Sequence, residues 1–201
     1  PLRLVGSEMC IRDRKYTVEK VDEDFARTAA FWEEKLRCLQ VSTPNEGMNT
    51  ELNIWNLYQS EINVMFSRFT SFIEVGGRVG LGYRDTTQDA MMVPHSNPDK
   101  CRGRLVELLK ALTREGYGLH LFEPRWFEQE EKQQSFKSPT VIPTPDKSQI
   151  VHGLKDACAD DALWLVASIV QYIRETGDLS FADQVLTYAD GGEGTVYAHM
   201  Q

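Results

Sequence analysis

The amino-acid sequence predicts an all-α protein. Apolar residues recur at the spacing of one helix face, as at Phe25, Ala29, Trp32 and Leu36, and helix start and end signals flank several such stretches. The alternation typical of strands is nowhere sustained. The predicted helices are Asp22–Leu39, a second capped by Thr50 and ended by Gly76-Gly77, a third from Asp85 to Pro94, a fourth from Asn97-Pro98 to Gly116, a fifth over Asp160–Gly177 and a last one that starts near Glu193.

Local signals support each predicted helix. Asp85 and Gln88 form a capping-box pattern, Pro94 closes the same helix, and Asn97-Pro98 is a start signal for the next one. The predicted apolar faces are Leu105, Leu108, Leu109 and Leu112 on the fourth helix, and Leu163, Val166, Ile169, Val170 and Ile173 on the fifth. The polar segments Ser42–Asn49 and Glu123–Ile150 are predicted loops, and the second is long enough to be either functional or a surface insertion.

Composition excludes several classes of protein. The 201 residues carry a net charge of -8, which argues against nucleic acid and against an anionic membrane as the main partner. No apolar run approaches the length of a membrane span. The cysteines lack the spacing of a disulfide framework or a zinc site, and the histidines lack metal-ligand spacing. These observations predict a cytoplasmic protein without a metal.

The segment Leu4–Arg14, LVGSEMCIRDR, resembles the in-frame translation of an adapter used in DNA sequencing libraries. We therefore expect residues 1–14 to be a non-native N-terminus. Residues 15–201 are then expected to be an internal piece of a larger catalytic domain.

Two charged motifs at predicted helix starts have competing interpretations. In YRDTTQDA, Asp85 could cap its helix and Arg84 could pair with a nearby carboxylate, or both could bind a ligand. In ADDALWL, Asp160 could be an N-cap and Asp161 a favourable first-turn charge, or Asp160 could be functional. The glycine run GGRVGLG does not follow a strand, so a dinucleotide site is rejected, and DGGEG is interpreted as a turn before a helix.

Several motifs occur in the order typical of one enzyme family. They are WNLYQSEINVMFSRF, GGRVGLGYRDTTQDAM, HSNPDKCRGRLVELL, GYGLHLFEPRWF, HGLKDACADDALWLVASIVQYIRETGD and YADGGEGTVYAHM. Together, from Trp55 to Gln201, they resemble the catalytic domain of glycoside hydrolase family 94, which contains phosphorylases of β-linked disaccharides. The resemblance implies a partial (α/α)6 toroid, an incomplete helical barrel with the active site at one mouth.

The resemblance also implies roles for individual residues. The general acid falls on Asp160. The residues that hold the sugar include Arg68, Arg78 and Asp85, with Arg84 as a supporting residue. Relatives often place an aromatic residue two positions before the acid, and this chain has Cys158 at that sugar-facing position.

The implied reaction needs only one carboxylic acid. Inorganic phosphate is already an anionic nucleophile, so an inverting phosphorylase requires no second carboxylate as a base, unlike a hydrolase. We expect Asp160 to protonate the leaving oxygen, with a pKa raised by burial or by Asp161. Phosphate is then a co-substrate, and no other cofactor is implied.

Three hypotheses follow from the sequence. The parent protein is an inverting phosphorylase that converts a β-linked disaccharide and phosphate to an α-sugar-1-phosphate. Alternatively, it is an inverting glycoside hydrolase on a related toroid, or the chain is an inactive sugar-binding fragment. We expect the 201-residue chain alone to be inactive, and the resemblance implies a homodimeric parent.

Overall fold

A computed structural model of the chain describes residues 17–66, 80–122 and 157–201. Helices dominate these residues, which confirms the all-α class. The helices are α1 (Val18–Leu36), α2 (Glu46–Thr50), α3 (Asn56–Phe66), α4 (Tyr83–Met91), α5 (Pro98–Lys110), α6 (Asp161–Thr176) and α7 (Val196–His199), with a π-helical turn at Glu51–Trp55 and a 3-10 turn at Leu179–Asp183. The (α/α)6 closure stays a prediction.

Several sequence predictions lie outside the described residues. They concern the adapter-like segment Leu4–Arg14, the sugar-binding residues Arg68 and Arg78, the helix end at Gly76-Gly77 and the loop Glu123–Ile150. The chain forms two compact units, Pro1–Ile54 and Trp55–Gln201, and each is described separately.

The first unit contains α1 and α2. Helix α1 begins four positions before the predicted Asp22, because Thr17 caps it by accepting a hydrogen bond from the Lys20 amide at 3.3 Å. Ala29, Trp32 and Leu36 are half-buried, as their spacing predicts. Phe25, from the same predicted face, is exposed.

The start of α2 corrects the predicted cap at Thr50. Asn45 is the N-cap, and its side chain accepts from the Met48 amide at 3.1 Å. The helix therefore begins within the predicted loop Ser42–Asn49. Asn53 holds the preceding segment, because its amide side chain binds both the N–H and the carbonyl of Val41, at 2.8 and 2.9 Å.

The core of the second unit lies where α4, α5 and α6 pack together. Helix α5 has the predicted start, because Asn97 accepts from the Lys100 amide at 3.3 Å. All four leucines of its predicted face are buried. It ends at Lys110 rather than at the predicted Gly116, because the chain turns back there and the Leu119 amide donates to the Ala111 carbonyl at 3.0 Å. Gly116 lies in that turn with a φ of 84°.

Helix α6 has its predicted bounds but a different buried face. Gly177 ends it in the left-handed conformation, with a φ of 73°. The buried side chains after the first turn are Leu165, Ser168, Ile169 and Tyr172. Leu163 and Val170 of the predicted stripe are exposed, because the face packed on α4 is fixed partly by a hydrogen bond from the polar Ser168.

Two short antiparallel pairs complete the second unit. Strand β1 (Leu81–Gly82) pairs with β2 (Leu121–Phe122), and β3 (Val185–Thr187) pairs with β4 (Glu193–Thr195). The stretch DGGEG is a turn, as predicted, but it joins these last two strands. The predicted start of the last helix near Glu193 is therefore wrong, and α7 begins at Val196 after the Thr195 cap.

None of the helices within the described ranges is long and apolar enough to cross a membrane.

Candidate active site

The start of α4 is fixed by a neighbouring strand rather than by the predicted capping box. Gly82 occupies the N-cap position without a side-chain cap, and the Tyr83 amide donates to the His120 carbonyl at 3.1 Å. The pairing of β1 with β2 thus sets where the helix begins. Asp85 lies in its first turn and is half-buried, so the prediction that Asp85 caps this helix is wrong.

The start of α6 brings a carboxylate to the same place. Asp160 holds the N-cap position of this helix, but its side chain makes no capping hydrogen bond. Its Oδ1 instead accepts from Arg84 Nη2 at 2.5 Å, and its Oδ2 accepts from Trp164 Nε1 at 3.4 Å. The prediction that Asp160 serves as a side-chain cap is therefore wrong, and the prediction that Arg84 pairs with a carboxylate is confirmed. About half of the Asp160 side chain, 47%, stays exposed.

The neighbouring carboxylate of Asp161 is buried, with 1% of its side chain exposed. Its Oδ2 accepts from the Cys158 amide at 3.0 Å and lies 3.7 Å from His120 Nδ1. Its Oδ1 lies 3.7 Å from Arg84 Nε. Within the described part of the chain, neither Asp161 Oδ1 nor Arg84 Nε has a hydrogen-bond partner. Arg84 therefore faces two carboxylates and is hydrogen-bonded to only one of them.

The pKa of Asp160 corrects the expectation of a raised value. Burial raises this pKa, but the hydrogen bonds from Trp164 and Arg84 outweigh it, and the result lies below the usual 3.8. The hydrogen bond to Asp160 likewise raises the pKa of Arg84. With Arg84 and Trp164 hydrogen-bonded to it, Asp160 is thus a carboxylate at neutral pH rather than a proton donor.

Three side chains of metal-ligand type meet beside this pair. One ligand atom each from His120, Cys158 and Asp161 lies within 4.8 Å of the others, and Cys158 Sγ is 3.9 Å from His120 Nδ1. Sequence spacing does not reveal this cluster, because His120 directly precedes β2 while the other two flank the start of α6. Structural zinc sites use four protein ligands, and the described residues group three here. The sequence prediction that no metal is bound stays a prediction.

The structure thus gathers part of the predicted site. Arg84, Cys158 and Asp160 lie together at the starts of α4 and α6, and Asp85 follows Arg84 in the first turn of α4. Their roles toward a sugar stay predictions. Trp164 was missed, although its position one helical turn after Asp160 places both on the same side of α6.

The chain matches a protein-family model over most of its length. The family model described as the glycosyl hydrolase 94 superfamily, catalytic domain, matches residues 31–201. The chain belongs to this family. The match to the glycosyl hydrolase 94 superfamily includes every described residue of the site.

Two similar proteins are N,N'-diacetylchitobiose phosphorylases. The one from Vibrio proteolyticus is 52% identical over 197 residues, which are 98% of this chain and 25% of that protein. The one from Vibrio furnissii is 53% identical over 196 residues, 97% of this chain and 24% of that protein. A solabiose phosphorylase of Paenibacillus borealis is 25% identical over 181 residues, 90% of the chain and 19% of that protein. The chain spans about a quarter of the length of the two Vibrio proteins.

Proposed function

We propose that the chain is part of the catalytic domain of an inverting phosphorylase, and that the substrate is N,N'-diacetylchitobiose. The observation that carries the proposal is the identity of 52% and 53% to two phosphorylases of that disaccharide over nearly the whole chain. The solabiose phosphorylase, at 25%, is much less similar. The position of Asp160 supports the proposal, because its half-exposed carboxylate can reach a ligand.

In this reaction Asp160 donates its proton to the oxygen that links the two sugars. A phosphate oxygen attacks the anomeric carbon from the opposite face while the bond from that carbon to the leaving oxygen breaks. The products are an α-configured sugar-1-phosphate and free N-acetylglucosamine. Positioned proton transfer contributes about 10² to 10⁴-fold to such a rate. Arg68, Arg78 and Asp85 would hold the sugar, and Cys158 would line its pocket.

An assay of the full-length protein tests this function. N,N'-diacetylchitobiose should yield sugar-1-phosphate only when phosphate is present, and NMR spectroscopy of the product should show the α anomer. Release of free N-acetylglucosamine without phosphate would instead support the glycoside hydrolase. Sugar binding without turnover in either condition would support the sugar-binding alternative. The 201-residue chain, assayed in parallel, is expected to be inactive.

The matched variants are Asp160→Asn and Asp99→Asn. Asp99 also lies in the first turn of a helix, α5, but it is exposed and outside the site. We expect Asp160→Asn to lower kcat by about 10² to 10⁴-fold because the amide cannot donate a carboxylic proton. Asp99→Asn should leave kcat unchanged. Equal activity of the two variants would contradict the assignment of Asp160 as the acid.

A further inference from the structure

The guanidinium of Arg84 lies between the two consecutive aspartates at the start of α6. Its Nη2 binds Asp160 Oδ1 at 2.5 Å, and this pair is exposed, with 40% and 47% of the two side chains accessible. Its Nε lies 3.7 Å from Oδ1 of the buried Asp161. Hydrogen bonds from N–H to oxygen are about 2.7 to 3.2 Å long, so this second contact is an ion pair without a hydrogen bond.

The second contact holds two unsatisfied atoms. Arg84 Nε and Asp161 Oδ1 are both buried, and neither has a hydrogen-bond partner among the described residues. Unpaired buried polar atoms are costly, whereas an exposed ion pair contributes little to stability. A movement of Arg84 by about 0.5 to 1 Å toward Asp161 would satisfy both atoms. The arrangement therefore favours a shift of the guanidinium once its partner Asp160 has another ligand.

The other groups around Asp161 face one of its carboxylate oxygens and leave the second oxygen available to the guanidinium of Arg84. The Cys158 amide and His120 Nδ1 both face Oδ2, at 3.0 and 3.7 Å, and leave Oδ1 for Arg84. Burial raises the pKa of the Tyr83 phenol, and the nearby charge of Asp161 raises it further. The Trp164 indole also donates to Asp160, and the carboxylate of Asp85 lies one position after Arg84 in the first turn of α4.

The proposed reaction needs Asp160 in its protonated form. A general acid must carry a proton when the sugar is bound, yet the bond from Arg84 stabilises the ionised form of Asp160. A sugar that covers the exposed side of Asp160 removes water from it, which favours the neutral form, and movement of the cation away from Asp160 favours that form further. Asp161 is the carboxylate to which the cation can move.

We propose that Arg84 is a positioning residue that passes from Asp160 to Asp161 when sugar binds, so that Asp160 takes up a proton from solvent and becomes the acid. This inference rests on the proposed function. Arg84 does not transfer a proton itself. Bound to Asp160 it stabilises the ionised form of the acid, and bound to Asp161 it lets the acid take up a proton.

Calorimetry without phosphate tests the proton uptake directly. N,N'-diacetylchitobiose is titrated into the full-length protein at pH 6.5 in buffers of different ionisation enthalpy. We expect the wild type to take up about one proton per bound sugar, and Asp160→Asn to take up none. Asp161→Asn removes the charge that receives Arg84, so its uptake should fall to a small fraction of the wild-type value. Sugar binding without proton uptake by the wild type would overturn the inference while leaving the phosphorylase proposal intact.

The pH dependence of kcat separates this role from a structural one. In Asp161→Asn, Arg84 stays on Asp160 and lowers the pKa of the acid in the sugar complex, so the alkaline limb of the kcat profile should move to lower pH. Each unit of pKa lost reduces kcat about tenfold above that limb, with little loss below it. Arg84→Gln should move the alkaline limb of kcat/KM to higher pH, and Arg84→Lys should restore part of the wild-type profile.

Arg114→Gln is the matched control, because this arginine also pairs with an aspartate, Asp190, but away from the site. Its pH profiles should match those of the wild type. If Arg84→Gln and Asp161→Asn reduce kcat equally at every pH, both residues are only structural and the inference fails. If the wild-type protein neither binds nor turns over the disaccharide, the proposed function itself fails.

Discussion

The Ser168 hydroxyl donates a hydrogen bond to the Thr87 carbonyl at 2.8 Å, and both residues are buried. Asp160 and Arg84 meet at the starts of the two helices. The bond from Ser168 joins α6 to α4 further along both of them. Contacts near both starts and again further along show that the two helices run in the same general direction. The bond therefore helps to fix the distance between Asp160 and Arg84.

Replacing Ser168 by alanine should lower the free energy of unfolding by about 1 kcal/mol, because a buried hydrogen bond is lost. Ser60→Ala is the control, since that hydroxyl donates to the Asn56 carbonyl of its own helix. Urea unfolding measures both. Equal stability of the two variants would show that the bond between the helices contributes nothing of its own.

Replacing two of the glycines by alanine should change the stability of the protein in opposite directions. A Cβ on Gly118 would lie 2.8 Å from ring atoms of the fully buried Tyr83. Overpacking of this kind costs about 1 to 3 kcal/mol. A Cβ on Gly103, in the middle of α5, meets nothing within 4 Å. Gly103→Ala should therefore stabilise the protein by about 0.5 to 1 kcal/mol. Thermal unfolding should show the two midpoints moving in opposite directions, and a lower midpoint for Gly103→Ala would contradict this account.

Local signals predicted some parts of the fold well. The start of α5 at Asn97-Pro98 and its leucine face were correct, because an N-cap and a helical period depend on neighbouring residues. The starts of α2 and α4 are earlier than predicted, α4 by only two residues, at Tyr83 rather than near Asp85. The pairing of Gly82 with β2 fixes one of them, and Asn45 outcompeted Thr50 as the cap of the other.

The candidate site was also predicted only in part. Motif resemblance selected Arg84 and Asp160, and the structure brings them together across 76 positions of the sequence. The lowered pKa of Asp160 could not be predicted, because it depends on the direction in which a long arginine side chain points. His120 was missed for a related reason, since a strand pair carries it to the start of α4.

His199 should make stability depend on pH. Burial lowers its pKa below 6.5, while its hydrogen bond to the Thr195 carbonyl opposes this effect. The unfolded chain therefore takes up a proton before the folded protein does. The contribution of neutral His199 to the free energy of unfolding is complete above about pH 6.5. It is lost as the pH falls through that value toward the pKa of His199 in the folded protein.

The free energy of unfolding is measured at pH 7.5 and at pH 5.5, and the decrease between the two is the loss due to pH. His199→Phe should retain the stacking on Tyr188, where the ring centroids lie 3.8 Å apart, but should show a smaller loss at the lower pH. His95→Gln, at an exposed position, should leave the loss unchanged. The lowered pKa values of Asp160 and Asp178 act below 3.8 and do not contribute in this window. The same loss in His199→Phe as in the wild type would exclude His199 as its source.

The thiols of Cys101 and Cys158 should differ strongly in reactivity. Cys101 is fully buried, its thiol donates to the Ala90 carbonyl, and burial raises its pKa to about 12. At pH 8 only about one in ten thousand of these thiols would be ionised, and the thiolate is the reactive form. Cys158 is partly exposed at the start of α6.

In a variant with Cys10→Ala and Cys38→Ala, a disulfide reagent at pH 8 should therefore label one thiol in the folded protein and a second only after unfolding in urea. Mass spectrometry of the peptides should place the first label on Cys158. Because Cys158 lies two residues before the proposed acid, bound N,N'-diacetylchitobiose should slow the labelling of its peptide in the full-length protein if it lines the sugar pocket. Labelling of Cys101 at the same rate would contradict its burial, and unchanged labelling of Cys158 at saturating sugar would remove it from the pocket without affecting the role of Asp160.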